Sequence, residues 1–309
     1  MSQSPRRYAT LLLAATLAAS LTLSPVTAQA APVRLAAAAR PSVTARSVAV
    51  YNRSTHAWLY LKQARTRRPI ASVTKLMTAY VVLKHARWRT PVTISKAAVA
   101  YAHRHDATTA NLRPGERITL AQALYGMLLP SGADVAYQLA KNYGPGHGKF
   151  IAKMNAYARA LHMTKTHYAN PDGLPYKDSH GRSGYSTAVD QLKLVNALLR
   201  STSFRKVVRT TRYHLHAGHG HRAHTWTNTN RLLGAYRGAH GVKTGTTKAA
   251  GACLAFSAYR GTRNIIGIVL HSTTPTTRFR DATHLLNYAY GTHPTQVHLR
   301  SLPAGTNPD

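Results

Sequence analysis

Three short segments carry residues whose types and spacing suit acyl transfer. Ser72-Val73-Thr74-Lys75 sets a hydroxyl three residues ahead of an amine, at the head of an apolar, helix-patterned run from Leu76 to Leu83. On a helix, positions i and i+3 share a face, so the lysine can reach the serine oxygen and take its proton during attack on a carbonyl. Taken alone, the same four residues equally describe an N-cap serine with a solvated lysine one turn on. Two later segments bear on the choice. Ser131-Gly132-Ala133 follows a proline between two helical stretches, and Lys243-Thr244-Gly245 lies at the edge of a strand-rich region. A serine hydroxyl is a poor nucleophile at its ordinary pKa, and Lys75 serves as its base only if its own pKa is lowered. A neighbouring Lys243 would assist by like-charge repulsion, so a neutral Lys75 is expected.

Local patterning indicates the elements that must hold these groups. Residues 46–51 and 57–61 are short and β-prone around the turn-forming Asn52 to His56, the pattern of an opening hairpin. Helical patterns cover 72–85, 120–129, 134–141, 148–161 and 187–199, and Pro130-Ser131-Gly132-Ala133 makes a turn between two of them. In the last third, 207–215, 253–259 and 264–271 read as strands, and Arg278 to Tyr290 as a closing amphipathic helix. Together they predict a mixed α/β fold: one mainly antiparallel sheet assembled from both chain ends, with a helical insertion between.

The Ser-x-x-Lys, Ser-x-x and Lys-Thr-Gly elements occur in the order used by penicillin-binding proteins and serine β-lactamases. The chain resembles the low-molecular-mass serine D-alanyl-D-alanine carboxypeptidases, of the penicillin-binding S11 peptidase type, from about Arg46 to Gly291. Ala71 to Ala79, Leu128 to Gly132, Asn170-Pro171-Asp172-Gly173-Leu174, Asn228 to Leu233 and Lys243 to Ala250 extend the likeness. The resemblance implies the DD-peptidase/serine β-lactamase-like fold and removal of terminal D-alanine from peptidoglycan stem pentapeptides through an acyl-enzyme on Ser72. It further implies inhibition by β-lactams and no cofactor or metal. Lys75 would be the base, and Ser131 would relay a proton to the departing nitrogen. Lys243 and Thr244 are suited to hold the substrate carboxylate by charge-assisted hydrogen bonds. The backbone N–H groups of Ser72 and Thr246 would bind the oxyanion, with Gly245 letting the strand edge approach. Arg278 is a candidate second cation for the carboxylate; the alternative is a surface or salt-bridge arginine near Asp281.

One position departs from the family pattern. Ala133 stands where the Ser-x-Asn element carries asparagine, which removes an orienting contact. Glu116 is the only glutamate and precedes Ser131, where it reads as part of a surface turn, so efficient class A β-lactamase action is not expected. The alternatives to a carboxypeptidase are a D,D-endopeptidase on cross-links and a catalytically weak peptidoglycan- or penicillin-binding protein. His214, His216, His219, His221 and His224 read as a solvated hairpin tip rather than a metal site. Cys253, the single cysteine, reads as a buried strand residue.

The start of the chain has the pattern of a secretory signal peptide over residues 1–30: Arg6-Arg7, an apolar stretch to Leu23, then Ala28-Gln29-Ala30. A low-complexity linker (31–45), a catalytic domain (46–291) and a polar tail (292–309) follow, with no C-terminal membrane anchor expected. Export to the periplasm or extracellular cell-wall space is therefore expected. The charge is extreme, with 41 Lys and Arg against 8 acidic residues and a formal +33. The basic residues are spread along the chain and no nucleic-acid motif appears, so an anionic cell-envelope surface is the expected partner rather than nucleic acid. Few carboxylates also suggest tolerance of acid, because carboxylates with depressed pKa values lose their stabilising contribution as pH falls.

Overall fold

The computed structural model describes residues 40–292 and 297–307. The segment read as a signal peptide lies outside the described residues, as does the linker up to residue 39. Side-chain alternation builds the sheet. In β1 (Ser47–Asn52), Val48 and Val50 join one buried cluster while Ala49 and Tyr51 face another, the period-two pattern of a strand covered on both sides. β2 (Ala57–Lys62) returns antiparallel beside it.

The middle of the chain supplies α1 (Lys75–His85), β3 (Pro91–Thr93), α2 (Lys96–Arg104), β4 (Arg117–Thr119), α3 (Leu120–Leu128), α4 (Ala133–Tyr143), α5 (His147–Ala160), α6 (Ala188–Leu198) and α7 (Thr202–Arg209). Local signals start several of these helices. Thr119 and Gln122 form a reciprocal capping box on α3, and Ser95, Thr187 and Ser201 cap α2, α6 and α7 through their hydroxyls. A small hairpin, β5 (Arg212–Leu215) and β6 (His224–Thr227), precedes β7 (Ala239–Thr247), β8 (Gly251–Arg260), β9 (Arg263–Ser272) and α8 (Thr277–Tyr290). Gly291, in the left-handed region at φ 66°, ends α8.

The main sheet has five strands in the order β2-β1-β9-β8-β7, all pairs antiparallel. Both chain ends build it, since β1 pairs with β9 along its whole length. On one face, Val48, Val50, Leu254, Phe256 and Val269 pack against Phe279, Leu285 and Leu286 of α8. On the other, Ala49, Ala255, Ile266 and Ile268 share a core with Leu76, Met77, Leu194 and Val195. Strand β7 is an edge of this sheet, and that edge carries Lys243-Thr244-Gly245.

Two local expectations are corrected. Residues 207–215 are not one strand: α7 runs to Arg209 and β5 begins at Arg212. Val207 and Val208 look β-prone, but Phe204, Val207 and Val208 are buried at i, i+3 and i+4 behind the Ser201 cap, which is helical spacing. Glu116 is buried rather than in a surface turn. Its carboxylate accepts hydrogen bonds from Arg113 N (2.7 Å), Arg222 N (3.0 Å) and His224 Nε2 (3.0 Å). Burial opposes its charge, yet these donors outweigh burial and hold the carboxyl below its ordinary range. Among the described residues, no helix is long and apolar enough to cross a membrane.

Candidate active site

Residues 71–74 form a 3-10 turn that runs directly into α1. Three residues per turn eclipse positions i and i+3, and Lys75 Nζ accordingly donates to Ser72 Oγ at 3.0 Å. Ser72 is partly exposed, whereas Lys75 is only 2% exposed. The nucleophile candidate is thus open to a ligand while its amine partner is shielded.

A loop from Asn170 to Leu174 fixes the lysine from the far side. Lys75 Nζ also donates to the Asp172 carbonyl at 3.1 Å, and Thr78 Oγ1, three residues on, donates to the Pro171 carbonyl at 2.5 Å. Turn chemistry shapes this loop: Asn170 Oδ1 accepts from Gly173 N at 2.7 Å, and Asp172 Oδ1 from Leu174 N at 3.0 Å. Gly173 has φ 86°, and a Cβ there would run into the Ala71 carbonyl, so the loop presses on the turn that carries Ser72. The buried Asp172 carboxylate also accepts from the Tyr101 hydroxyl of α2 at 2.8 Å. Burial, and then the Asp172 charge, push the Tyr101 pKa well above its ordinary value.

Ser131 sits between α3 and α4 with φ 72°, a strained conformation for a residue with a Cβ. Its side chain is fully buried, and Oγ has no hydrogen-bond partner among the described residues. The surrounding backbone is held from several directions. Gly132 N donates to Gly126 O (3.2 Å) and Ala133 N to Thr108 O (2.8 Å). The buried Asp134 carboxylate accepts from Ala110 N at 3.0 Å and Val135 N at 2.9 Å. Burial raises the Asp134 pKa, opposed by those hydrogen bonds and by the charge of Lys75. Ala133 is buried at the first turn of α4.

Lys243 and Thr244 are buried on β7, and Thr246 is partly exposed. Lys243 Nζ donates to Thr244 O at 3.0 Å. Thr229 joins β7 to the Ser131 loop: its hydroxyl lies 2.6 Å from Thr244 Oγ1, and its N–H donates to Leu129 O at 3.2 Å. A Cβ on Gly245 would fall 2.8 Å from Ser72 N and 2.9 Å from Val73 N. Only a glycine lets the strand edge come so close to the serine turn. Arg278 is fully buried, not at the surface, and its Nη1 donates to Thr246 Oγ1 (2.9 Å), Gly245 O (3.3 Å) and Cys253 O (3.4 Å). Asp281 accepts from Thr44 N (2.8 Å), Ala45 N (2.9 Å) and Ser272 Oγ (2.7 Å).

The structure therefore gathers Ser72 and Lys75, and beside them Gly245, Thr246 and Arg278, while Thr229 links the Ser131 loop to Thr244. Sequence reasoning gave no role to Tyr101, Asp134, Asp172 or Thr229. Only the Asn-Pro-Asp-Gly turn chemistry pointed toward one of them. The histidine-rich hairpin stands apart: His224 turns inward onto Glu116, and His214 pairs with Thr225 Oγ1 at 3.0 Å. Among the described residues, no three His, Cys, Asp or Glu side chains are grouped to hold a metal ion.

A reachable serine with a buried amine at hydrogen-bond distance, against a sheet edge bearing a lysine, defines a serine acyl-transfer site on a mixed α/β scaffold. The sequence profile of the D-alanyl-D-alanine carboxypeptidase family matches residues 34–274. The chain belongs to that family and is a serine-type peptidase. It is 40% identical over 209 residues to a D-alanyl-D-alanine carboxypeptidase of Streptomyces sp. strain K15, covering 64% of this chain and 70% of that protein. A D-alanyl-D-alanine carboxypeptidase of Bacillus subtilis is 35% identical over 187 residues, which cover 59% of this chain but only 46% of the longer relative. The crystal structure of the Streptomyces K15 DD-transpeptidase superimposes with a TM-score of 0.76 at 40% identity, over 82% of this chain and 99% of that one.

Proposed function

We propose that the chain removes the terminal D-alanine of peptidoglycan stem peptides, with residues 46–291 as its catalytic domain. Ser72 Oγ attacks the carbonyl of the penultimate D-alanine and passes its proton to Lys75, whose burial disfavours the ammonium form. The N–H groups of Ser72 and Thr246 receive the oxyanion. Ser131 hands a proton to the leaving nitrogen, the C–N bond breaks, and D-alanine departs from an ester on Ser72. Lys243, Thr244 and Arg278 hold the substrate carboxylate. Water then attacks the ester, and the stem peptide is released. The absence of a glutamate after Ser131 fits slow hydrolysis of a penicilloyl ester at the same serine.

The observation that carries this assignment is the Lys75–Ser72 hydrogen bond of 3.0 Å in a turn against which only glycine fits at position 245. Mass spectrometry after incubation with penicillin tests it. One intact penicillin should attach to the peptide containing Ser72 and none to the Ser72→Ala variant; an unmodified wild-type chain would refute the nucleophile.

A second reaction follows from the same ester, because an amine can replace water as the attacking group. The K15 likeness to a DD-transpeptidase favours it, and cutting a cross-link is its reverse. Residues 1–30 would direct export to the cell-wall space, where a formal charge of +33 would hold the protein near anionic polymers.

A further inference from the structure

A cavity of about 420 Å³ lies against the Ser131 loop. Pro130 forms part of its wall; Arg212, Thr225 and Thr227 of the β5-β6 hairpin form a second part; Ala304 and Thr306 form a third. The last wall is anchored rather than loose. Arg300 donates to the carbonyls of Asn228, Asn230 and Leu233, Arg231 Nε donates back to Arg300 O at 2.8 Å, and Thr306 N closes a turn on Pro303 O at 3.1 Å. The floor is Trp226, whose indole N–H donates to Ala110 O at 2.8 Å. Ala110 N in turn holds the Asp134 carboxylate, so the floor belongs to the same framework as the Ser131 loop.

Position and charge identify what fits. A group that protonates a leaving nitrogen must stand on the leaving-group side of the scissile bond, and Pro130 immediately precedes Ser131. The cavity lining has hydroxyls, amides and the Arg212 guanidinium, with no carboxylate. The positive field is reinforced nearby: after burial, the charges of Arg231 and Arg212 both lower the pKa of Arg300. The size is in the range of small-ligand sites. A peptide with a carboxylate meets these conditions.

Resting on the acyl-enzyme assignment, we propose that this cavity is a subsite for a second peptide stem, the amine-bearing strand released when a cross-link is cut, with Arg212 holding a carboxylate of that strand. The chemistry is that of D-alanine release with a larger leaving group. The Ser72 Oγ–carbonyl bond forms, the cross-link C–N bond breaks, the serine proton goes to Lys75, and Ser131 gives a proton to the departing amine. A free D-alanine is too short to reach the cavity, so only the cross-linked substrate senses it.

The test compares kcat/KM of the full chain on a stem pentapeptide and on a bridged dimer of the same stems. Arg212→Ala and the cavity-filling Ala304→Trp should each lower cleavage of the dimer by about tenfold, the effect of losing one charge-assisted contact. D-alanine release from the pentapeptide should stay unchanged, and Arg212→Lys should restore part of the dimer activity. Three results overturn the subsite: unchanged dimer cleavage in both variants, an equal fall on both substrates, or a wild-type chain that releases D-alanine yet leaves the dimer intact. A wild-type chain that acts on neither substrate and takes no penicillin contradicts the acyl-enzyme assignment itself.

Discussion

Lys75 Nζ donates to the backbone carbonyl of Asp172 at 3.1 Å across a sequence separation of 97 residues. The amine that stands over Ser72 is therefore aimed by a loop whose own shape depends on Asn170, Gly173 and Tyr101. Small changes far from the serine should consequently reach the chemistry through the direction of one amine.

Gly245→Ala tests the approach of the strand edge to the serine turn. The new Cβ would meet Ser72 N at 2.8 Å, Val73 N at 2.9 Å and Ile70 O at 3.2 Å, all backbone atoms that cannot swing aside. Strand and turn must separate by several tenths of an ångström, and kcat/KM should fall by about 100-fold through misplacement of the reacting groups. Steady-state kinetics with thermal melting checks this; unchanged kinetics would show that the contact is not needed.

Tyr101→Phe removes the hydroxyl that donates to the Asp172 carboxylate. Loss of a hydrogen bond to a buried charge should cost about 1.5–3 kcal/mol of stability and lower kcat by loosening Lys75. The tyrosine pKa is raised in the folded state, so its contribution is fully present below the unfolded value of about 10 and is lost as pH rises above it. Urea titrations at pH 8 to 11 should show wild-type stability falling above pH 10, and a shallower fall in the variant.

On the acid side, His147 opposes the tolerance that scarce carboxylates suggested. Burial lowers its pKa, with Lys141 acting in the same sense and Asp172 against it, and its Nε2 is buried with no hydrogen-bond partner among the described residues. A histidine held neutral by folding stabilises above its unfolded pKa of about 6.5 and loses that contribution as pH drops toward the folded value. Wild-type urea midpoints should decline between pH 7 and 5, and His147→Phe, which keeps the ring packed on Tyr137, should flatten the decline. Identical slopes would remove His147 from the account.

The parts legible in the sequence were those written locally. The β1-β2 hairpin, α1, α3 to α6, β8, β9 and α8 follow from period and caps, and Ser72-Lys75 and Lys243-Gly245 from short motifs. The 3-10 turn beneath Ser72 was not legible, because its backbone is imposed by the Gly173 loop pressing on Ala71. Helix α2 escaped notice because its buried residues are alanines, Ala98 and Ala102, which give a weak periodic signal. The Tyr101–Asp172 bond joins residues 71 apart, and such pairings have no local signature. Arg278 was ambiguous in sequence and is decided as a buried residue only by the packing of α8 against β7 and β8.

The most direct test is release of D-alanine from a pentapeptide ending in D-Ala-D-Ala by the wild-type chain and by Ser72→Ala. The arrangement of Ser72, Lys75 and the β7 edge predicts release by the wild type and a loss of about 1,000-fold or more in the variant, as expected when a covalent nucleophile is removed. Equal release by both would contradict it.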